Sequence, residues 1–443
     1  MHGGLNYMHG GLNYMHGGVN YMHGGLNYMH GGLTYMHRGL PYPHGVLPFD
    51  GDRSLLWSQA PPQAEEERSP RSARRYAAPM LRQAFRSVAS QLAAGVDRAV
   101  YSAALARSTG SRRRSRAEGM GHQARMDALA AVSAIYERPG HDEDPDAFFT
   151  PPDPAGLAGA SLHRVRAFGD FSEVADLRWT SQYQPFSEAV RGAYLRRQEN
   201  REAVARLFLR KVDPRPAVIL IHGYLGGTLA VEERLWPVRW LHERGFDVAL
   251  AVLPFHGSRR DPDSRRPVFP SSDPRVTIEG FRQAIFDLRF LVGYLRSRGA
   301  PSVGVMGMSL GGYTSALLAT VEPRLSFAVP MIPLASIADF ARDGGRLVGS
   351  DEEQWQQHAA LEAAHRVVSP LSRPPRLDPR RILVVAGESD QITPLAHAER
   401  LAAHLGARLE TFAGGHLFQI GREDAFRLVG RMLDEVLEET AER

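Results

Sequence analysis

The chain has no cysteine in its 443 residues. That absence excludes disulfides, thiolate nucleophiles and cysteine-ligated metals together. It has a single lysine, Lys211, so its basic balance comes from arginine. Acidic residues alternate with those arginines along most of the chain, unlike the clustered basic face of a nucleic-acid binder, and no nucleic-acid partner is expected. No run of about 18 or more apolar residues occurs, so no spanning helix is expected. The start of the chain lacks a charged segment leading into an apolar core, so no secretory signal is expected. These features point to a cytoplasmic protein.

What is present begins with a repeat. MHGGLNY, Met1–Tyr7, recurs from Met8, Met15 and Met22 and decays through MHGGLTY from Met29 and MHRGLPY from Met36. Paired glycines in nearly every unit oppose a stable helix, so the heptad is no coiled coil. Regular histidines invite a metal reading, but a translated tandem DNA repeat accounts for the pattern more simply. Asp50 to Arg75 is rich in Pro, Ser, Glu and Arg and reads as disorder. Leu81, Phe85, Val88, Leu92 and Val96 then follow helical spacing, with Arg82, Arg86 and Arg98 elsewhere. A second helix is expected over Gln123–Tyr136, a basic cluster lies at Arg112–Arg116, and His141–Pro154 reads as an acidic, proline-rich linker. An arginine-bearing amphipathic helix can contact a membrane surface peripherally; docking on its own domain is the favoured reading. The expected organisation is a low-complexity segment over 1–75, a helical extension and linker over 76–155, and a catalytic domain over 156–443.

Within that last region the rhythm is alternating strands and helices, the signature of an α/β fold with a mostly parallel sheet flanked by helices. Strands are expected at Val204–Val212, Ala217–Ile221, Phe246–Leu253, Ser302–Met306, Phe327–Ile332, Ile382–Ala386 and Arg408–Phe412. Helices are expected over Val231–Arg244, through Ile278 to Leu295, and over Tyr313–Thr320. Between Ala335 and Pro379 the rhythm breaks into helical sequence, read as a cap insertion over the carboxyl ends of the strands, where α/β sheets bind ligands. His358, His365, Trp355 and Leu361 in it are candidate lid residues.

Gly307-Met308-Ser309-Leu310-Gly311 sits between an expected strand and an expected helix, the context of a nucleophile elbow. Serine at a tight, strained turn needs small neighbours, and the helix N-terminus behind it offers free N–H groups to a developing oxyanion. Serine is a poor nucleophile unless a base and an orienting acid accompany it. His416, after Gly414-Gly415 at the end of the last strand, is the candidate base. Asp390, in Gly387-Glu388-Ser389-Asp390-Gln391-Ile392-Thr393-Pro394, is the candidate acid, with Glu388 as the alternative. The Leu310 N–H is the first candidate oxyanion donor. The Tyr224 N–H, in His222-Gly223-Tyr224 after the strand Ala217–Ile221, is the second, with Leu225 as its neighbour alternative. His222 is read as a buttress of that loop, and His256 as part of a chain-turning segment.

The set HGY, GMSLGG, GESDQITP and GGH, in that order and at strand ends, resembles the α/β-hydrolase superfamily over Ser161–Arg443. Glu232-Glu233-Arg234-Leu235 and Leu253–Ser258 are also similar to the group containing alpha/beta hydrolase domain-containing protein 18. The superfamily resemblance implies an eight-stranded sheet, a Ser309–Asp390–His416 triad, an acyl-enzyme and neither cofactor nor metal. The expected function is a serine hydrolase acting on a small-molecule carboxylic ester. The alternatives are a serine peptidase of the prolyl-oligopeptidase type and a non-catalytic protein that retains the fold.

Overall fold

The computed structural model describes residues 90–98, 120–137, 140, 143–167, 172–210 and 215–442. The expected disordered segment, the repeat, Leu81, Phe85, Val88 and the Arg112–Arg116 cluster lie outside them. Nine strands form one sheet: β1 Ser161–Ala167, β2 Ser172–Thr180, β3 Glu202–Arg210, β4 Ala217–Ile221, β5 Asp247–Ala251, β6 Val303–Met308, β7 Ala328–Met331, β8 Leu383–Gly387 and β9 Arg408–Phe412. Their spatial order is β1-β2-β3-β5-β4-β6-β7-β8-β9. The pairings from β5 through β9 are parallel, and those of β1, β2 and β3 are antiparallel. The continuous apolar runs AVILI in β4 and LVVAG in β8 are buried along their whole length, as strands covered on both faces must be.

The resemblance implied eight strands, and the ninth is the addition at the antiparallel edge. β1 reads SLHRVRA and is almost wholly exposed. A charged edge strand of this kind discourages further pairing, and nothing apolar marks it in the sequence. Nor was β2 expected. It pairs with β3 along its full length, from Ser172 opposite Arg210 to Thr180 opposite Glu202.

The helices that frame the sheet include α1 (residues 90–98), α2 His122–Tyr136, α3 Leu229–Leu235, α4 Val238–Glu243, α5 Pro274–Ser297, α6 Leu310–Val321, α7 Ile337–Asp343, α8 Asp351–His365, α9 Leu395–Leu405 and α10 Arg422–Ala441. The single helix expected over Val231–Arg244 is two, α3 and α4. The break falls at Trp236-Pro237, where proline lacks the N–H a continuing helix requires and forces the preceding residue into extended geometry. No helix among the described residues is long and apolar enough to cross a membrane.

α5 carries a polar spine that fastens the segments before the sheet. Its buried Glu279 accepts hydrogen bonds from the Tyr136 hydroxyl at 2.8 Å, the Ser187 N–H at 2.8 Å, the Phe186 N–H at 3.0 Å and the Tyr183 hydroxyl. Arg282 donates twice to the Phe148 carbonyl, at 3.0 and 2.7 Å, and stacks over the Phe148 ring. Arg289 donates to the Phe149 carbonyl and Asp146, both at 2.7 Å, and to Glu322 at 3.0 Å. The stretch His141–Pro154 was expected to be a linker. In its described part Phe148 and Phe149 are buried in the main core, because two aromatic side chains outweigh its acidic, proline-rich composition. α2 in turn docks on the cap, with Arg125 donating to the Arg346 carbonyl at 3.1 Å.

Two buried histidines lock the ends of β4 and β5. His222 Nε2 accepts the Leu253 N–H at 3.1 Å, so its proton sits on Nδ1 and is donated to the Gly223 carbonyl at 2.7 Å. His256 donates from Nδ1 to the Pro254 carbonyl at 2.8 Å, its ring 5.1 Å from that of His222. Burial lowers the His222 pKa to about 4. Burial, with His222 alongside, lowers that of His256 to about 3. Both are therefore neutral in the folded protein while the unfolded chain binds their protons below about 6.5. The stability they contribute is complete above that pH and is lost as the pH falls towards 4, by roughly 3 kcal/mol for His222 alone at about 1.4 kcal/mol per unit. Denaturant unfolding followed between pH 7.5 and 4.5 should show a falling midpoint, with a shallower fall in His256→Asn. Equal slopes in the two proteins would assign the pH dependence to other groups.

Candidate active site

The site is assembled where β6 turns into α6. Ser309 occupies that turn with φ 57° and ψ −114°, a strained backbone for a residue with a Cβ. Its N–H is held by the Met331 carbonyl at 2.9 Å, and its own carbonyl accepts the Tyr313 N–H at 3.0 Å. The neighbouring glycines are steric necessities. A Cβ on Gly307 would collide with the Gly311 carbonyl, and one on Gly311 with the Ile221 carbonyl at the end of β4. A Cβ on Gly312 would stand 2.7 Å from the Met331 carbonyl.

His416 reaches the serine from the loop after β9. Its Nε2 lies 2.9 Å from Ser309 Oγ and its Nδ1 2.7 Å from Asp390 Oδ2. Asp390 and His416 are buried, while Ser309 is partly exposed. Asp390 is itself held in a tight turn, Oδ1 accepting the N–H groups of Ile392 at 2.8 Å and Thr393 at 2.7 Å. The structure thus brings Ser309, His416 and Asp390 together. It does not bring Glu388, which is exposed and accepts from the Thr411 hydroxyl at 2.9 Å.

The loop after β4 lies against the serine: a Cβ on Gly223 would come within 3.4 Å of Ser309 Cβ. Gly226 N–H closes a turn onto the Gly223 carbonyl at 3.1 Å, with Leu225 at φ 68°. Among the described residues, the N–H groups of Tyr224, Leu225 and Leu310 donate to no protein acceptor. Glu232 stiffens this loop. Its buried carboxylate accepts the Gly227 N–H at 2.8 Å, and burial pushes its pKa upward.

Sequence reasoning missed two residues here. Thr393 places its hydroxyl 3.0 Å from both Asp390 Oδ2 and His416 Nδ1, and 3.1 Å from the Ile332 carbonyl. The Ile-Thr-Pro turn was the available signal, but only its effect on Asp390 was inferred from it. Asp97, on α1, accepts the backbone N–H of His416 at 2.6 Å and of Leu417 at 3.0 Å. No local signal marks it. Of the expected apolar stripe, Leu92 is exposed and Val96 half-buried, whereas Ala93, Ala94 and Asp97 are buried.

The candidate lid residues divide. His358 Nε2 meets Asp339 Oδ1 at 2.8 Å, His365 is buried and donates to the Leu361 carbonyl at 2.9 Å, and Trp355 is exposed. Asp339, His358 and Glu362 approach one another closely. Arg400 engages both carboxylates and Arg342 engages Asp339, the arrangement of an ion-pair network that holds the cap together.

Comparison with known proteins follows the same lines. The prolyl oligopeptidase family matches residues 294–417, which span the elbow and reach past the histidine. Protein MT2702 of Mycobacterium tuberculosis (strain CDC 1551 / Oshkosh) is 29% identical over 295 residues, 65% of this chain and 70% of that protein. Hydrolyase poxO of Penicillium oxalicum is 32% identical over 158 residues, 33% of either chain. Acetyl xylan esterase 1 from Thermoanaerobacterium sp. JW/SL YS485 overlays on 69% of this chain and 98% of its own at 18% identity and a TM-score of 0.45. Its mostly parallel sheet, its strand–serine–helix elbow and the family match that covers β6 to β9 and that elbow place the chain in the α/β-hydrolase superfamily, as a hydrolase of the serine type.

Proposed function

We propose that the chain hydrolyses carboxylic esters through a Ser309–His416–Asp390 triad. The observation that carries this reading is the continuous hydrogen-bonded line from Ser309 Oγ through both nitrogens of His416 to Asp390. His416 takes the hydroxyl proton as Ser309 attacks the carbonyl, and Asp390 fixes the tautomer and faces the imidazolium that forms. The N–H groups of Leu310 and Tyr224 receive the developing oxyanion. His416 then protonates the departing alcohol, and water, deprotonated by the same ring, releases the acid from the acyl-enzyme. His222 takes no proton in this scheme, since both its nitrogens are committed to the backbone.

The surroundings favour an apolar ester. Leu417 and Phe418, next to His416, and Tyr224 and Leu225, in the oxyanion loop, all expose their side chains. Exposed apolar side chains concentrated at a reactive centre suit an apolar acyl or alcohol group. A peptidase reading is the second one, favoured by the prolyl oligopeptidase match; the same triad cleaves amides where a site holds the peptide backbone.

Ser309→Ala should lower kcat on a short-chain aryl ester by about 10⁴–10⁶ and abolish labelling by a fluorophosphonate, which in the wild type should map to Ser309. Near wild-type turnover in that variant would reject the triad. Side-by-side rates on p-nitrophenyl acyl esters and on peptide p-nitroanilides decide the substrate class: an amide rate equal to or above the ester rate would replace the esterase reading with the peptidase one. The acid is tested separately. Asp390→Asn should lower kcat by about 10³–10⁴, whereas Glu388→Gln should stay within about threefold, and the reverse pattern would move the acid to Glu388.

A further inference from the structure

We infer that Asp97 is a positioning residue for the catalytic loop, and that α1 completes the active site rather than merely preceding it. The inference rests on the role proposed for His416.

His416 has a demanding placement. Its ring must meet Ser309 and Asp390 at once, yet it stands on the segment Ala413-Gly414-Gly415-His416, whose paired glycines carry little intrinsic order. Something outside the segment must set its path. Asp97 does so with both carboxylate oxygens. Oδ2 accepts the His416 N–H at 2.6 Å and the Gln391 N–H at 3.4 Å, and Oδ1 accepts the Leu417 N–H at 3.0 Å. One buried anion therefore joins the loop that carries the base to the loop that carries Asp390. The same helix adds a second anchor, Ser90 donating to the Ala413 carbonyl at 2.6 Å.

The contact is close enough to dictate sequence on the other side. A Cβ on Gly415 would collide with Asp97 Oδ2 and come within 3.3 Å of Ala93 Cβ. Small residues at 93 and 94 and no side chain at 415 are what let the carboxylate reach the loop backbone. An ionised carboxylate accepting several backbone N–H groups away from water forms stronger bonds than a neutral acceptor would. The asparagine isostere cannot replace it. One of its two positions becomes an NH₂ that faces an N–H donor, leaving two buried donors opposed. Misplacement of a catalytic group by about 1 Å costs on the order of 100-fold in rate.

The test uses the full chain. Fluorophosphonate labelling of the wild type comes first: label on Ser309 supports the underlying reading, and label on another serine overturns both. Asp97→Asn should then lower kcat and the labelling rate at Ser309 by about 10- to 100-fold, with KM within about threefold. Amide exchange of peptides covering 413–419 should accelerate in the variant while peptides of β4 and β6 exchange as before. Gln91→Ala, on the exposed side of the same helix, should match the wild type in every readout. If Asp97→Asn does not fold, Asp97→Ser, whose hydroxyl can accept one of the three N–H groups, is read by the same criteria. Either folded variant with kcat and labelling within twofold of wild type, while wild-type label sits on Ser309, overturns the role of Asp97 and leaves the triad standing.

Discussion

At the contact between Gly311 and the Ile221 carbonyl, the first turn of α6 rests directly on the end of β4 with no side chain between them. Because β4 and β6 are neighbours in register, Ile221 opposite Gly307, that contact holds the loop after β4 and the serine at van der Waals distance. The turn has to be tight for the contact to exist, and its tightness forces Ser309 to positive φ. Strain of this kind costs about 1–3 kcal/mol. It persists because the Met331 carbonyl holds the serine N–H and every residue of α6 is buried. The Ser309 hydroxyl is thus presented by the centre of the sheet.

Around that centre the other groups arrive on loops, and each loop is fastened by a polar side chain. Glu232 returns to the turn after β4, Thr393 bridges Asp390 and His416, and Asp97 comes from the far end of the described chain. The same device recurs away from the site. Glu279, Arg282 and Arg289 of α5 hold the segment from Phe148 to Ser187 through backbone carbonyls and N–H groups. A chain without disulfides has organised its irregular segments with buried charges, each satisfied by several partners, as burial of a charge requires.

What was legible in the sequence follows from how local each signal is. The parallel strands were readable because a strand covered on both faces must be apolar throughout, and AVILI is found at its expected bounds. The elbow was readable because its steric demands fall on residues two positions either side of the serine. Asp390 was chosen over Glu388 from the turn that aims it; in the structure Asp390 meets His416, and Glu388 accepts from the Thr411 hydroxyl. β1 and β2 were not readable: β1 is an exposed edge, and β2, SEVADLRWT, mixes charged residues among its apolar ones and so shows no continuous apolar run. The break at Trp236-Pro237 was written in the proline but lost within an otherwise helical pattern. Asp97 was invisible in principle: its partners lie 319 and 320 positions away.

That separation has a consequence in time. Ribosomes extend chains at about 5–20 residues per second, so roughly 15–60 seconds pass between synthesis of Asp97 and synthesis of His416. During that interval the loop after β4 and then the elbow are made, while α1 carries a carboxylate whose N–H donors at His416 and Leu417 do not yet exist. A nascent chain of this protein therefore carries Ser309 before His416, and the hydrogen-bonded line from Ser309 to Asp390 closes only when the final strand, the histidine loop and the waiting helix meet.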